Sequence, residues 1–349
     1  MRLKIVAIAA GLIALGGCND QAGSGGAGSR DQIRVVGSST VYPFSTLVAE
    51  QFRTQNAGFK APVVEQGGTG AGAKLFCAGV GAAHPDILDA SRRLTAREYK
   101  SCEDNGVSSI MEVQIGLDGI TLAESINGPK LQLNPSDIYL ALAANPKGQP
   151  NATKTWKDVN PALPAVPIQV YGPPSTSGTR DAFAEILMER GCLAIWPDSL
   201  KLREQDPTKF KKQCHEIRSD GLWVDAGEND NLIVQKLGTN PNAVGVFGYS
   251  YLEQNPGTLV GVPLGGVSPS YETIAANRYP GSRPLFIYVK KAHLDAVPGL
   301  RKFVELYATM WDPNGALTRR GLIAAPAEVR AASKKIIEDG TAMDSRTLN

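Results

Sequence analysis

The chain has 349 residues and a mass of 37.0 kDa, too long for one ordinary hydrophobic core, which favours two domains. Hydrophobic residues make up 42% and charged residues 20%, as expected of a globular rather than a disordered protein. The 36 basic and 34 acidic residues balance once Arg2 and Lys4 of the leader are set aside, so the chain lacks the basic surface that nucleic-acid binding requires.

The first thirty residues predict export. A short basic start precedes an apolar run, 5–15, too short to cross a bilayer core of about 30 Å as a helix. A glycine pair then leads into Cys18, which resembles a bacterial lipobox, where the cysteine is diacylated after cleavage. We expect a signal peptide over 1–17 and lipidation of Cys18; the alternative is an ordinary signal peptide with an incidental cysteine. A Gly- and Ser-rich tether over 18–30 would hold the body in the periplasm or at the outer face of the cytoplasmic membrane.

Strand and helix patterns alternate along the body. Short apolar runs that end in glycine or small residues indicate strands, and apolar residues at helical spacing follow them. In the first part, the predicted strands cover 33–37, 62–66, 86–90 and 113–122, and helices begin after 40 and after 67.

The second part repeats this alternation. The predicted strands cover 167–172, 243–247 and 284–289, and the predicted helices cover 136–144, 228–237, 249–254, 299–311 and 326–338. A further helix carries Phe183, Ile186, Leu187 and Arg190, with Gly191 at its C′ position. Two runs of strand–turn–helix units indicate an α/β fold with parallel sheets, helices on both faces and ligands at the carboxyl ends of the strands.

The same local chemistry occurs in three turns, each between a strand and a helix. The three turns are Ser38-Ser39-Thr40, Gly68-Thr69-Gly70 and Ser177-Gly178-Thr179. A helix start presents unpaired N–H groups and a partial positive charge, glycine permits close approach of a ligand, and hydroxyls add donors. Ser and Thr also cap many helices without binding anything. Three such turns favour convergence on one oxyanion.

Signatures of enzymes and cofactor sites are weak. No G-x-S-x-G nucleophile elbow occurs, and the glycines at 67 and 72 resemble a P-loop opening without its Lys-Ser/Thr ending. The G-x-G-x-x-G pattern appears only in a weaker form after the second strand. The three histidines, His84, His215 and His293, are scattered, which argues against a histidine metal site, and no spacing supports a Ser/His pair.

Five stretches together carry a family resemblance. They are 37–43; the Gly-Thr-Gly-Ala-Gly run with Lys74, Leu75, Phe76 and Cys77; Ala90-Ser91-Arg92; Ser177-Gly178-Thr179; and 243–251. In order and spacing they resemble the periplasmic phosphate-binding proteins of ABC transporters, from about residue 33 to the C-terminal helices. The resemblance implies a two-lobed periplasmic-binding-protein fold (type II), each lobe a mostly parallel sheet flanked by helices, that closes around inorganic phosphate in the cleft between the lobes. It also implies an ABC permease and an ATPase as partners.

The lobes are expected to divide as 31–118 plus 284–349 and 119–283, with chain crossings near Leu117 and Leu285 forming the hinge. We expect a monomeric binding protein, not an enzyme, with no cofactor and no metal. Alternatives remain: a binding protein for sulfate or molybdate, a phosphatase-like hydrolase on the same scaffold, and a sensor or adhesion lipoprotein.

The resemblance also assigns residues to the phosphate site. Those implied to hold phosphate are Ser39, Thr40, Val41, Thr69, Gly70, Arg92, Ser177, Gly178 and Thr179. Arg180 is a candidate for added charge, or else an ordinary solvated helix arginine. Two positions depart from relatives: Pro173 stands where some have Arg, and Thr176 where closer ones have Asp. Charge complementarity would therefore depend largely on Arg92.

Selectivity for phosphate over sulfate needs an acceptor for the phosphate proton, because sulfate has no such proton near neutral pH. Arg92 stands where some relatives carry the acceptor Asp, so another acid must serve. Glu228, Asp230 and Asp181 are the candidates, each also readable as an acid that stabilises the first turn of its helix.

Four cysteines remain after Cys18, an even number that predicts two disulfides in an exported chain. Pairing of neighbours would join Cys77 to Cys102 and Cys192 to Cys214, closing loops of about 25 residues, each stabilising by about 3 kcal/mol. The alternative is four free buried thiols. The absence of a Cys-x-x-Cys spacing argues against a metal site.

Overall fold

The computed structural model describes residues 30–175, 177–227 and 230–348. The predicted signal peptide, Cys18 and nearly all of the tether lie outside the described residues, as do Thr176 and Glu228. Within the described ranges, no helix combines the length and the apolar character needed to cross a membrane.

A mixed β-sheet runs through the described part of the chain. Its strands are β1 (Arg34–Gly37), β2 (Val63–Gln66), β3 (Ile87–Ala90), β4 (Ile110–Ser125), β5 (Val170–Gly172), β6 (Trp223–Asp225), β7 (Val244–Gly248), β8 (Leu259–Gly261) and β9 (Ser282–Lys290). They are ordered β2-β1-β3-β9-β4-β7-β5-β6, and β8 pairs with β4.

Helices connect and flank these strands. They are α1 (Tyr42–Gln55), α2 (Thr69–Phe76), α3 (Ala96–Asp104), α4 (Pro135–Leu142), α5 (Trp156–Val159), α6 (Gly178–Phe183), α7 (Glu189–Ile195), α8 (Ser199–Gln205), α9 (Pro207–Cys214), α10 (Asp230–Thr239), α11 (Tyr249–Glu253), α12 (Tyr271–Ala275), α13 (Lys291–Leu294), α14 (Leu300–Met310), α15 (Ala316–Arg319) and α16 (Ala327–Asp339). A π-helical segment, Ala184–Met188, joins α6 to α7, and 3₁₀ turns cover Pro146–Gly148 and Ser345–Thr347.

The parallel units that the sequence predicts are present in both halves of the sheet. Strand β1 pairs in parallel with β2 and β3, and β5 pairs in parallel with β6 and β7. The halves are joined by the antiparallel pair β4 and β9, whose register runs from Ile110↔Lys290 to Gly119↔Ser282. The fold is therefore α/β and two-lobed, with a parallel core in each lobe and antiparallel strands crossing between them.

The hydrophobic core follows the same division. One large cluster surrounds Trp156, Phe183 and Phe247. A second surrounds Phe52 and Phe303, and a smaller third lies under α2 and α3. The 16-residue strand β4 contributes its first half to the second cluster and its second half to the large one, so it belongs to both lobes.

One predicted helix end is wrong. The sequence predicts Gly191 just after the helix that follows the third turn, but the residue lies inside α7. A Cβ atom at Gly191 would come within 2.0 Å of the Pro135 carbonyl oxygen, so the glycine allows α7 to pack tightly against α4. The tight packing, and not the end of a helix, explains the residue.

Both predicted disulfides are confirmed. Cys77 bonds to Cys102, which ties the end of α2 to α3, and Cys192 bonds to Cys214, which ties α7 to the end of α9. The sulfur pairs are buried, with loop separations of 25 and 22 residues. Each bridge braces helices of one lobe and does not cross between lobes.

Candidate functional site

The first turn forms at the end of β1. The Ser38 amide donates to the Asp89 carbonyl at 2.9 Å, and the Thr40 amide donates to Ser38 Oγ at 3.2 Å. None of the three hydroxyls caps α1, because the helix begins at Tyr42 and its N-cap is Val41, which makes no side-chain cap. The Ser38 hydroxyl therefore shapes the turn before the helix.

The second turn is pressed onto the first. The amides of Gly67 and Gly68 donate to the Gly37 carbonyl at 2.8 and 2.9 Å. Thr69 begins α2 and is buried; its Oγ1 accepts the Ser91 amide at 3.1 Å and lies 3.1 Å from Ser91 Oγ. The Thr69 hydroxyl thus joins the second turn to the end of β3.

The third turn faces the first across the cleft. Ser177 caps α6 by accepting the Thr179 amide at 3.2 Å. A Cβ atom at Gly178 would lie 3.0 Å from the Ser39 carbonyl oxygen and 3.8 Å from the Thr40 Cα. A hydrogen bond from Ser39 to Asp181 adds a polar contact between the lobes. The structure therefore brings all three turns together, the first touching both of the others.

Arg283 is a cleft residue that the sequence does not single out. It lies on β9, opposite Asp118 of β4. Its Nη2 donates to Thr40 Oγ1 at 2.9 Å, its Nη1 donates to Glu185 Oε2 at 2.8 Å, and its side chain is 13% exposed. The sequence signal for it is a charged residue directly before the apolar run 284–289.

Arg92 lies beside the second turn and is held by a carboxylate. Its Nη1 and Nη2 donate to the two oxygens of Glu98 at 2.8 Å each, and Nη2 would be 3.7 Å from a Cβ atom at Gly70. The hydrogen bonds that Arg92 donates to Glu98 raise the pKa of Arg92, and the charge of Glu185 adds to the effect. Arg92 therefore reaches the cleft, although part of its charge is already matched.

Arg180 is anchored away from solvent. Its Nη1 donates to the Pro173 carbonyl at 3.1 Å and to Asp225 Oδ1 at 3.0 Å, and the guanidinium carbon lies 4.3 Å from the Trp223 ring centroid. Burial lowers the pKa of Arg180 despite the neighbouring Asp225. The side chain braces the loop after β5 against β6.

Two acids near the cleft, Asp181 and Asp118, have raised pKa values. Burial raises the pKa of Asp181, and the charge of Glu185 raises it further, while the Ser39 hydrogen bond opposes the shift. Burial also raises the pKa of Asp118, which Arg283 partly offsets. Of the other candidate acceptors, Asp230 lies buried in the first turn of α10, and Glu228 lies outside the described residues.

Two histidines are paired with acids rather than with a serine. His293 Nδ1 lies 2.7 Å from Asp86 Oδ1 while its Nε2 accepts the Gly81 amide at 2.9 Å. His215 Nε2 lies 2.9 Å from Glu189 Oε2. The polar groups described around the cleft are backbone N–H, hydroxyl, guanidinium and carboxylate groups. Such an arrangement can bind a small anion.

Comparisons with known proteins identify the family. A profile of the PBP superfamily domain matches residues 22–309. The chain is 33% identical to Protein SphX of a Synechocystis strain over 308 residues, which cover 85% of this chain and 79% of that protein. It is 30% identical to the phosphate-binding protein PstS of Staphylococcus epidermidis over 327 residues, covering 90% and 86% of the two chains.

Among solved structures, the chain resembles a possible phosphate binding protein from Planctomyces limnophilus. The TM-score is 0.72 at 28% identity, and the match covers 88% of this chain and 98% of that one. The profile match over residues 22–309 includes all three turns. The chain belongs to the PBP superfamily of two-lobed binding proteins.

Proposed function

We propose that this chain binds inorganic phosphate outside the cytoplasmic membrane and delivers it to an ABC importer. The observation that carries the proposal is the meeting of the first and third turns, where Gly178 approaches the Ser39 carbonyl so closely that a Cβ would lie 3.0 Å from it. Helix starts from two lobes then face one small volume, as capture of a small anion requires. The PstS name of one relative and the name of the Planctomyces structure both specify phosphate.

The proposed ligands are the residues that the sequence singles out. They are Ser39, Thr40, Val41, Thr69, Gly70, Arg92, Ser177, Gly178 and Thr179. The Thr40 and Thr179 amides donate to neighbouring serine hydroxyls at 3.2 Å, long bonds that a charged phosphate oxygen can replace. Backbone amides need no side-chain ordering on binding, which favours a rigid anion site.

Closure is proposed to occur about the two crossing strands. The lobes would be 31–118 plus 284–349 and 119–283, and β4 and β9 would bend near Leu117 and Leu285. Leu117 exchanges backbone hydrogen bonds with Ile323 at 2.8 and 3.0 Å, which restrains the crossing on one side. Hinge closure around the ligand would exclude water and strengthen each polar contact.

Asp181 is the proposed acceptor for the phosphate proton. It lies three residues after Gly178, contacts Ser39 and has a raised pKa because of burial. A raised pKa makes the carboxylate a stronger hydrogen-bond acceptor, and hydrogen phosphate supplies a donor that sulfate lacks. The negative charge of Asp181 would also repel sulfate, so one residue both rewards phosphate and penalises its analogue.

The remaining parts of the proposal concern location and partners. A lipid on Cys18 would hold the monomeric body at the membrane surface, close to the permease whose ATPase drives import. The chain itself would carry out no chemical step, consistent with a family of binding proteins and with histidines occupied elsewhere.

Isothermal titration of the full chain, purified in detergent, tests the proposal with phosphate, arsenate, sulfate and molybdate. We expect one phosphate or arsenate per chain, much weaker sulfate binding, and a phosphate-dependent rise in melting temperature. If sulfate or molybdate binds more tightly than phosphate, that anion and not phosphate is the ligand. Turnover of a phosphoester that is lost in Ser39→Ala would show a hydrolase instead.

A further inference from the structure

We propose that Arg283 contacts the bound oxyanion directly and supplies most of the positive charge that the anion meets in the cleft. This inference rests on the proposed function, which assigns an anion to the same cleft. It adds a ligand from the hinge strand β9 to the three turns, so that the hinge and the anion site share a side chain.

The position of the guanidinium carries the first step. Arg283 Nη2 donates to Thr40 Oγ1 at 2.9 Å, and Thr40 belongs to the turn proposed to hold the anion. An anion oxygen that accepts the Thr40 hydroxyl would therefore lie next to two guanidinium N–H groups. A guanidinium offers its donors in a planar fork that matches two oxygens of one tetrahedral anion.

Its present partners leave this guanidinium incompletely satisfied. Arg283 Nε and Asp118 Oδ2 are both buried, lie 3.5 Å apart, and neither has a hydrogen-bond partner. Buried polar groups without partners cost stability, so they persist where another requirement selects them. A bound anion with four oxygens would give the guanidinium the acceptors that it lacks.

Glu185 occupies the place that an anion would take. Its Oε2 accepts a hydrogen bond from Arg283 Nη1 at 2.8 Å, and its side chain is 37% exposed. It lies in the π-helical segment Ala184–Met188, a local irregularity often found at functional sites. A carboxylate that is partly exposed can turn into the solvent. We therefore expect the hydrogen bond between Arg283 and Glu185 to be replaced by one between Arg283 and the bound anion.

Other nearby cations are already matched. Arg92 forms a two-bond pair with Glu98, and Arg180 is paired with Asp225 and packed on Trp223. Arg283 differs because it contacts a proposed ligand residue directly and bridges both lobes. It therefore brings positive charge from strand β9 to the first turn.

The test is titration of the full chain, purified in detergent, with phosphate, arsenate and sulfate. The variants are Arg283→Gln, Arg283→Lys, Glu185→Gln, the double variant Arg283→Gln with Asp118→Asn, and exposed Arg278→Gln as matched control. We expect Arg283→Gln to weaken phosphate binding at least about thirtyfold, and Arg283→Lys to lose less. Glu185→Gln and Arg278→Gln should stay within about threefold of the unmodified chain or, for Glu185→Gln, bind tighter.

Two results would overturn the inference. One is binding by Arg283→Gln within threefold of the unmodified chain. The other is an equal loss in Glu185→Gln, since that change breaks the same ion pair and keeps the guanidinium. Should Arg283→Gln misfold because Asp118 is left unpaired, the double variant removes both charges and must show the same loss.

The series also separates this inference from the proposed function. If the unmodified chain binds sulfate but not phosphate, the phosphate assignment is wrong, and the sulfate affinities of the same variants test the role of Arg283. If it binds none of the three anions, both proposals are wrong.

Discussion

Two buried acids at opposite ends of strand β3 differ in how completely their charges are paired. Just before the strand, Asp86 is fully buried and accepts the Arg30 guanidinium at 2.5 Å and the Arg34 amide at 2.7 Å, with His293 Nδ1 2.7 Å away. Near its cleft end, Asp89 is also buried, but it accepts from the Ser45 hydroxyl at 2.8 Å, and burial raises its pKa to about 8.

The difference separates stability from binding. Around Asp86, charges are matched within the fold, which fixes the start of β1 and β3. At the other end, Asp89 is poorly matched, and Arg283 and Asp118 keep buried atoms without partners. A cleft that must bind a charged ligand cannot satisfy all its own groups first, so it gives up some stability for function.

Replacing Asp86 should have the largest effect on stability. Asp86→Ala removes the partner of Arg30 and His293 together, and breaking a buried ion pair typically costs about 3–5 kcal/mol. The midpoint of urea unfolding measures this loss. Because Asp86 lies at the end of β3 away from the turns, the phosphate Kd of the folded fraction should stay within about threefold.

The matched control for Asp86→Ala is Asp198→Ala, an exposed acid paired with Lys201 at 3.0 Å. A surface pair contributes little, so its unfolding midpoint should barely move. If Asp86→Ala weakens phosphate binding as strongly as it lowers stability, the two ends of β3 are not separate in function.

Gly178→Ala should have the next largest effect, which we expect on phosphate affinity and not on stability. The added methyl would sit 3.0 Å from the Ser39 carbonyl oxygen, a backbone atom of the opposite lobe, so the lobes would have to stand apart. We expect a loss of about a hundredfold in phosphate affinity, measured by titration, with the unfolding midpoint nearly unchanged.

Gly238→Ala is the control for that substitution. Gly238 lies in α10, and a Cβ there would meet nothing within 4 Å. The control should keep full affinity. Unchanged affinity in Gly178→Ala would mean that the bound state does not need the close approach of the first and third turns.

Asp89→Asn should change the pH dependence of stability. The folded-state pKa of Asp89 is about 8, above its usual value of 3.8, because burial disfavours the charged form. The stability from this group is therefore full below about pH 4 and is lost as pH rises towards 8. The difference in unfolding free energy between Asp89→Asn and the unmodified chain should therefore increase by about 1–3 kcal/mol, in favour of the variant, as pH rises from 5 to 8.

Urea unfolding at pH 5 and pH 8 checks this gain, with exposed Asp198→Asn as the matched control. Equal differences from the unmodified chain at both pH values would mean that Asp89 is not held protonated by the fold.

Local features of the sequence predict much of the fold and of the three turns. Strand–turn–helix order, glycine positions and hydroxyls are encoded within a few residues, and neighbour pairing gives both disulfides. The Arg283 contacts are different, because they join residues 243 and 98 positions apart in the chain. No local pattern specifies such contacts. The sequence pattern does not predict α8 and α9, because these helices are short and largely polar.

The smallest effect should come from Asp181→Asn and should appear in selectivity rather than in stability. Asp181 faces Ser39 from helix α6, just after the third turn, and its raised pKa makes it a strong acceptor for the proton of hydrogen phosphate. An asparagine in its place keeps a carbonyl oxygen but loses the negative charge. Phosphate should therefore bind about tenfold more weakly while sulfate gains, because repulsion of the unprotonated anion is removed.

Competition titrations measure the ratio of phosphate affinity to sulfate affinity directly. The matched control is Glu189→Gln, because Glu189 lies in α7, which continues the same helix, and pairs with His215. A ratio that changes equally in both variants would point to a general charge effect of the helix. A ratio unchanged in Asp181→Asn would transfer the acceptor role to Asp230 or Glu228. The ratio thus tests whether the poorly matched acids of the cleft serve selectivity, as the contrast with Asp86 implies.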